Sequence, residues 1–376
     1  MSRTAEALLH YAASETDADM YYATGFLAPD AFAWFRAGGR DHLLASDLEI
    51  GRAREEARVD VVLSLTEFRD RARRAGAKHP GMADILAAAL RSRRVLRAAV
   101  PEQFPLGMAE ALRRRGIRLE PRPTPFLPER VVKSPSEVRA LRDCQAATER
   151  AVALAFDRLR KARIRGSRIV EKGRALTAED MKRTIDVALM EDSCIAKNTI
   201  VACGDQAVDP HNRGSGPLRA HLPIVFDVFP RSATTGYFSD MSRTVVKGRP
   251  SEAVRRQFHA VLEAQEMGIG MVRAGVNGRA VHEAIQRRFE EQGYRTGPRN
   301  GKMQGFFHGT GHGVGLDIHE APRVGGVDDL LPEGSVVTVE PGLYYPGVGG
   351  VRIEDMVLVR KGGCRNLTEF PKELVL

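Results

Sequence analysis

Two hydrophobic periodicities alternate along the 376-residue chain. In its first third, short apolar runs such as Val59 to Leu65 and Val95 to Val100 have the length and branched side chains of strands. Met82 to Leu90 and Leu106 to Arg115 instead repeat apolar residues at helical spacing. That alternation predicts a small α/β domain. From Pro121 to Pro128 the sequence reads Pro-Arg-Pro-Thr-Pro-Phe-Leu-Pro. Prolines at this density fix φ and remove backbone donors, so the stretch is an extended connection. It predicts two domains, residues 1–125 and 126–376.

The second domain opens on Ser134-Pro135-Ser136-Glu137, a capping box with proline at the first helical position. The helix it starts should run to about Lys161, with Val138, Leu141, Val152, Ala155 and Leu159 on its apolar stripe. Another helix is expected after Thr177 through Met190, then strand-like segments at Thr199 to Cys203 and Leu222 to Phe229. The order recurs: helices at about Ser251 to Val272 and Gly278 to Gln292, then apolar-alternating segments at Gly305 to His319 and Val336 to Glu340. The expectation is an α+β domain of two helix-helix-strand-strand halves. Duplication is here a hypothesis about topology, since the halves share no visible residue pattern.

Composition narrows the function classes. Lys plus Arg number 57 against 48 Asp plus Glu, a net charge of +9. The densest basic pieces, Arg91-Ser92-Arg93-Arg94 and Arg113-Arg114-Arg115, sit at helix ends, where solvated last turns are ordinary. No nucleic-acid partner is predicted. Cys144, Cys194, Cys203 and Cys364 form no CxxC pair, so neither a zinc knuckle nor a disulfide framework is suggested, and a reducing cytoplasm is the expected location. Met1 to Glu6 soon turns acidic, and no apolar run approaches the ~18 residues of a membrane span, so no membrane partner is predicted either.

Four segments concentrate His, Asp and Glu in strand-like contexts, where side chains two apart share a face. Asp227 closes the apolar run Pro223-Ile224-Val225-Phe226, and Asp240 follows in Ser239-Asp240-Met241-Ser242-Arg243-Thr244. A carboxylate ending such a run is expensive to bury unless paired or metal-bound. His308, His312 and His319 stand in one glycine-rich stretch that lacks the Lys-Ser/Thr ending of a phosphate loop. Glu340 lies opposite Val337 and Val339, and Glu354 shares a face with Arg352. Asp227, Asp240, His312, Glu340 and Glu354 offer one imidazole and four carboxylates, a mostly oxygen set that suits two adjacent divalent ions. Manganese, cobalt and zinc are all admissible. Such a pair acidifies a water and polarises a carbonyl.

These segments, Asp227 with Ser239 to Thr244, His308-Gly309-Thr310-Gly311-His312-Gly313-Val314-Gly315, Glu340-Pro341-Gly342 and Arg352-Ile353-Glu354-Asp355, resemble the pita-bread metallopeptidases of the creatinase and aminopeptidase fold. The likeness runs from Lys133 nearly to the C-terminus, and the preceding domain is similar in size to the creatinase-type N-terminal domain of prolidases and Xaa-Pro aminopeptidases. Methionine aminopeptidases lack that domain. The resemblance implies pseudo-twofold ααββ halves around a curved antiparallel sheet, and a metal-dependent hydrolase cutting before proline in a dipeptide or short peptide. It implies two divalent ions, Mn²⁺ ahead of Co²⁺ or Zn²⁺, and a homodimer. By position, Asp227 would hold one metal, Asp240 and Glu354 would bridge both, and His312 and Glu340 would complete the shell, Glu340 also handling the nucleophile's proton. His211 resembles a histidine at the substrate's leaving end, His308 and His319 match pocket histidines, and Arg352 matches an arginine behind the ligands.

The sequence departs from the family between Asp227 and Asp240, thirteen residues apart, with Val228-Phe229-Pro230 after the first aspartate. A longer hairpin tip is expected. A dipeptidase is preferred to an aminopeptidase on longer peptides. A metal-free relative like creatinase and a non-catalytic binding member are rivals that normally lose ligand positions, whereas all five are filled here. His211, His308 and His319 also admit simple polar packing, and Arg352 simple charge neutralisation. His10, His42, His79, His221, His259 and His282 are read as surface or packing residues.

Overall fold

The computed structural model describes residues 6–376; Met1 to Ala5, part of the N-terminal reading above, lie outside the described residues. The chain forms two compact units, one ending at Arg130 and the other Val131–Leu376.

In the first unit six strands, β1 (Leu8–Ala12), β2 (Phe32–Ala37), β3 (Arg40–Ala45), β4 (Val61–Ser64), β5 (Arg97–Pro101) and β6 (Arg118–Arg122), form one sheet in the order β4-β3-β2-β1-β5-β6. The β1-β2-β3 meander is antiparallel, and the pairs β3-β4, β1-β5 and β5-β6 are parallel. α1 (Ala18–Thr24) lies between β1 and β2, while the crossovers that parallel pairs need run through α2 (Ile50–Glu56), α3 (Leu65–Arg74), α4 (Met82–Ser92) and α5 (Leu106–Arg114). Alternate strand residues feed two cores: Leu9, Phe35 and Leu44 pack with α4, while Leu8, Trp34 and Leu43 pack with α1. Phe126 and Leu127 are buried in the second of these cores, which carries the unit past the proline-rich stretch to Arg130.

The second unit begins with α6 (Pro135–Lys161), whose cap is the predicted one: Ser134 Oγ accepts from Glu137 N at 3.3 Å and Glu137 accepts from Ser134 N at 2.8 Å. A small sheet, β7 (Arg163–Arg165), β8 (Arg168–Glu171) and β9 (Arg174–Ala175), separates α6 from α7 (Ala178–Glu191). Its strands are only three, four and two residues long, too short for an apolar period to reveal them. Then come β10 (Cys194–Ile195), β11 (Ile200–Cys203), β12 (Pro223–Val228), β13 (Arg231–Ser232) and β14 (Met241–Val246); β11-β12-β14 form one antiparallel sheet, and β13 pairs with β10 at the hairpin tip.

The later half repeats the helix pair as α8 (Glu252–Met271) and α9 (Gly278–Glu291). After β15 (Gly297–Arg299) and β16 (Lys302–Gln304) come β17 (Gly311–Gly313), β18 (Glu320–Val324), β19 (Val336–Val339), β20 (Gly342–Tyr345), β21 (Gly349–Arg352), β22 (Asp355–Arg360) and β23 (Gly363–Asn366). Five of them form a sheet in the order β18-β17-β19-β22-β23. The segment expected as one alternating stretch from Gly305 to His319 is therefore a three-residue strand and a turn. A register shift between His312 and Gly313 breaks the pleat there. Separate apolar cores lie under the two helix pairs.

The two halves are stitched together at β14 and β21. Thr244 Oγ1 donates to Arg352 O and accepts from Arg352 N, both at 2.9 Å, and Glu354 N donates to Ser242 O at 3.0 Å. Buried Gln257 of α8 donates to Leu343 O and Gly349 O, fixing the β20-β21 hairpin from behind. No helix among the described residues is long and apolar enough to cross a membrane.

Candidate metal centre

Each candidate ligand sits at the end or middle of a paired strand. Asp227 lies on β12 opposite Ser242 of β14, and Asp240 directly precedes β14. His312 is the middle residue of β17, Glu340 follows β19, and Glu354 occupies the turn from β21 to β22. Asp227, Asp240, His312 and Glu354 are buried and Glu340 is half-buried. Asp355, next along, faces away and is held by Arg243 at 2.8 Å and Lys372 at 2.9 Å, which commits Glu354 to the opposite side.

The structure draws ligand atoms of Asp240, His312 and Glu354 within 4.8 Å of one another. His312 Nε2 lies 3.6 Å from Asp240 Oδ2 and 3.5 Å from Glu340 Oε1. Its other nitrogen, Nδ1, lies 3.2 Å from the Gly313 carbonyl. A carbonyl only accepts, so Nδ1 carries the hydrogen and Nε2 presents a lone pair. Burial, together with the charges of His319 and Arg323, lowers the His312 pKa to about 3, so the ring is neutral. At 3.6 and 3.5 Å the two carboxyl oxygens lie too far from that lone pair for a hydrogen bond; cations between these atoms would satisfy all three.

Asp227 is held from one side. Its Oδ2 pairs with Arg352 Nη2, while its buried Oδ1 has no hydrogen-bond partner. Arg352 Nε donates to Ser242 Oγ at 2.9 Å, and Ser242 donates to Glu354 Oε2 at 2.8 Å, so Arg352 and Glu354 share a face through one hydroxyl. Arg352 Nη1 donates to the Tyr344 hydroxyl at 3.1 Å. That hydroxyl lies 2.9 Å from His308 Nε2, whose ring directs Nδ1 at Gly309 O at 2.7 Å. By the same tautomer argument Tyr344 donates to His308. Burial, then the Arg352 charge, brings His308 down to about 3 and fixes it as a neutral acceptor.

The carboxylates repel one another. Asp240 and Glu340 hold their protons well above the usual carboxylate range, first through burial and then through the neighbouring acids, and Glu354 is pushed up to about 7 for the same reasons. Arg352 and one neutral imidazole do not balance four acids in so small a volume. The residues fit a pair of divalent cations on three grounds: the orphaned Asp227 oxygen, the bare His312 lone pair and the excess of oxygen donors.

His319 and His211 are more exposed. The His319 ring meets that of His312 edge-on at 4.3 Å between centroids. His211 lies on the loop after Val208, outside the buried group, and its charge lowers the pKa of both His308 and His319. Arg323 acts likewise on His312 and His319. His282, read from the sequence as packing, is buried with Nδ1 3.0 Å from the Thr310 hydroxyl. Sequence reasoning gave no role to Ser242, Tyr344 or Arg323. Ser242 stands two residues beyond Asp240 and Tyr344 two beyond Gly342, so alternation along the strands was the available signal.

Gly311 is demanded by close approach: a methyl there would collide with the Thr338 carbonyl of β19. Gly311→Ala is expected to destabilise the protein by about 1–3 kcal/mol and displace His312, checked as a lower melting temperature and a loss of bound divalent metal. An unchanged melting temperature would mean that β17 and β19 can separate freely.

Residues 139–361 match the model of metallopeptidase family M24. The chain is 34% identical over 183 residues to an Xaa-Pro dipeptidase of Pyrococcus furiosus, covering 48% of this chain and 49% of that protein. It thus spans about half the length of the curated relatives it matches. The fold superposes on an Xaa-Pro dipeptidase from Bacillus anthracis with a TM-score of 0.82 at 24% identity, over 99% of this chain and 95% of the other. It also superposes on an X-Pro aminopeptidase from Thermotoga maritima with a TM-score of 0.79 at 24% identity, over 99% and 97%. At that identity the two superpositions establish the architecture alone.

Proposed function

The chain belongs to metallopeptidase family M24, and from that premise we propose that it is a dinuclear-metal peptidase hydrolysing the bond between an amino acid and a following proline, acting on dipeptides. Asp227, Asp240, His312, Glu340 and Glu354 would hold two divalent ions, Mn²⁺ with Co²⁺ or Zn²⁺ as alternatives. The single observation that carries this reading is the His312 Nε2 lone pair aimed at Asp240 and Glu340. Bound there, the cations supply an acidified water and a polarised substrate carbonyl.

The remaining roles belong to side chains. Glu340 would take a proton from the attacking water and return it to the departing proline nitrogen. Arg352 fixes Asp227 and, through Ser242, Glu354, so the ligand set is rigid before substrate arrives. Tyr344 and His308 form the wall behind Arg352. His319 and His211 flank the substrate, His211 at the leaving side. A prolyl bond offers no N–H, so the pocket needs no acceptor for one.

Arg323 supports the dipeptidase reading, because the carboxylate one residue beyond the scissile bond needs a cation and Arg323 stands opposite His312 across the β17-β18 pair. With Mn²⁺-loaded enzyme, Xaa-Pro should be cut with a kcat/KM roughly a hundredfold above that of Xaa-Pro-Xaa, and Arg323→Ala should raise KM for the dipeptide about tenfold. Equal efficiency on the longer peptide would make the enzyme an aminopeptidase, and turnover of neither would leave a non-catalytic binding member.

A further inference from the structure

We propose that Lys133 is a positioning residue: through a buried ion pair with Glu320 it fixes the turn that sets His319 against His312. Its kinetic consequence rests on the peptidase reading above; its structural consequence does not.

Lys133 stands just before the α6 cap, with its side chain 1% exposed and its Nζ on Glu320 Oε1, whose side chain is 10% exposed. The lysine backbone is anchored, since Lys133 N donates to Gly334 O at 2.9 Å and Gly334 N to Val359 O at 2.9 Å. The ammonium is therefore delivered from a fixed point. Glu320 Oε2 accepts from Asp317 N at 3.4 Å, and its carboxylate packs on Gly315, where any Cβ would overlap it. Gly315 N in turn donates to Asp317 O at 3.0 Å. Residues 315–320 thus wrap around one carboxylate. That turn ends in exposed His319, whose ring meets that of His312, and it follows the register shift at His312.

The same stretch of chain also reaches the Asp240 side. Glu137 accepts from the Tyr237 hydroxyl at 2.5 Å, and Phe238 N donates to Gly315 O at 2.9 Å. Residues 133–137 therefore clamp the hairpin tip before Asp240 and the turn after His312. A buried lysine and glutamate pair is a poor source of stability, because desolvation offsets the attraction. Holding a turn in one arrangement is the use that fits this geometry.

The test uses metal-loaded enzyme and three variants, Lys133→Met, Glu320→Gln and the double substitution. The lone Lys133→Met change takes the ammonium from the Glu320 carboxylate and should lower the melting temperature; the double variant, which removes both charges, should regain it. If the pair positions the turn, kcat falls about thirtyfold in all three, with metal content unchanged and KM within about threefold. Amides 314–320 should then exchange hydrogen about tenfold faster in all three while the rest of the chain is unaltered. Recovery of both kcat and exchange protection in the double variant would reduce the pair to charge balance and overturn the proposal, as would unaltered exchange in every variant. Faster exchange in this turn, in a protein that cleaves no Xaa-Pro substrate, would sustain the positioning role and refute the peptidase reading.

Discussion

Asp240→Asn is expected to lower kcat by roughly a thousandfold or more while leaving the metal-free protein at least as stable as the parent. The two halves of that outcome have one cause. Asp240 lies among Glu354, Asp227 and Glu340, and burial with these neighbours drives its carboxyl well above the usual range. Such a cluster is a liability unless cations fill it. An amide of the same shape removes one repelling charge and one ligand together. Melting curves of the two chelated proteins at pH 8, set beside their turnover and metal content, check both halves. Wild-type turnover in the variant would remove Asp240 from the metal centre, and a large loss of apo stability would mean that the acids are balanced by some other means.

Metal should stabilise the protein more at pH 8 than at pH 6. Glu354, raised to about 7, and Asp240 and Glu340, raised well above the ordinary carboxylate range by burial and the neighbouring acids, bind protons more tightly in the folded apo protein than in the unfolded chain. Their contribution to apo stability is complete below the ordinary carboxylate value of about 4 and is lost as pH rises through the folded values. Cations replace those protons, so the gap in melting temperature between metal-loaded and chelated protein widens across that window. His308, lowered to about 3 by burial and Arg352, is neutral in both forms and cancels in the difference. Calorimetric titrations in buffers of different ionisation enthalpy should show protons released on binding at pH 6. A gap independent of pH, with no proton release, would mean the acids are already ionised without metal.

Local signals in the sequence were sufficient where structure is set locally. The Ser134 to Glu137 cap and the helices flanking Thr177 and Gly278 appear where propensity and apolar spacing put them, because each is decided within a few residues. Asp227 could be singled out because a carboxylate closing an apolar run has few uses. The turn from Val314 to His319 was not legible: its conformation is decided by Lys133, 187 residues before Glu320, and no periodicity encodes that pairing. Arg352 is named by its motif, but its partners are not. Its place opposite Asp227 depends on the β14-β21 stitching, and its hydrogen bond to Tyr344 on the register of the β20-β21 hairpin. The β7-β8-β9 sheet, with strands of three, four and two residues, is too short to leave a period to read, although Ile169 is buried in the core.

The central claim is that five side chains far apart in sequence share two cations, and its most direct test is equilibrium titration of chelated protein with Mn²⁺, with bound metal counted per chain. Two equivalents are predicted for the parent, and fewer for Asp227→Asn, whose unpartnered oxygen would no longer be a charged ligand. A parent protein that takes up no stoichiometric metal, or one whose uptake is indifferent to Asp227, would contradict it.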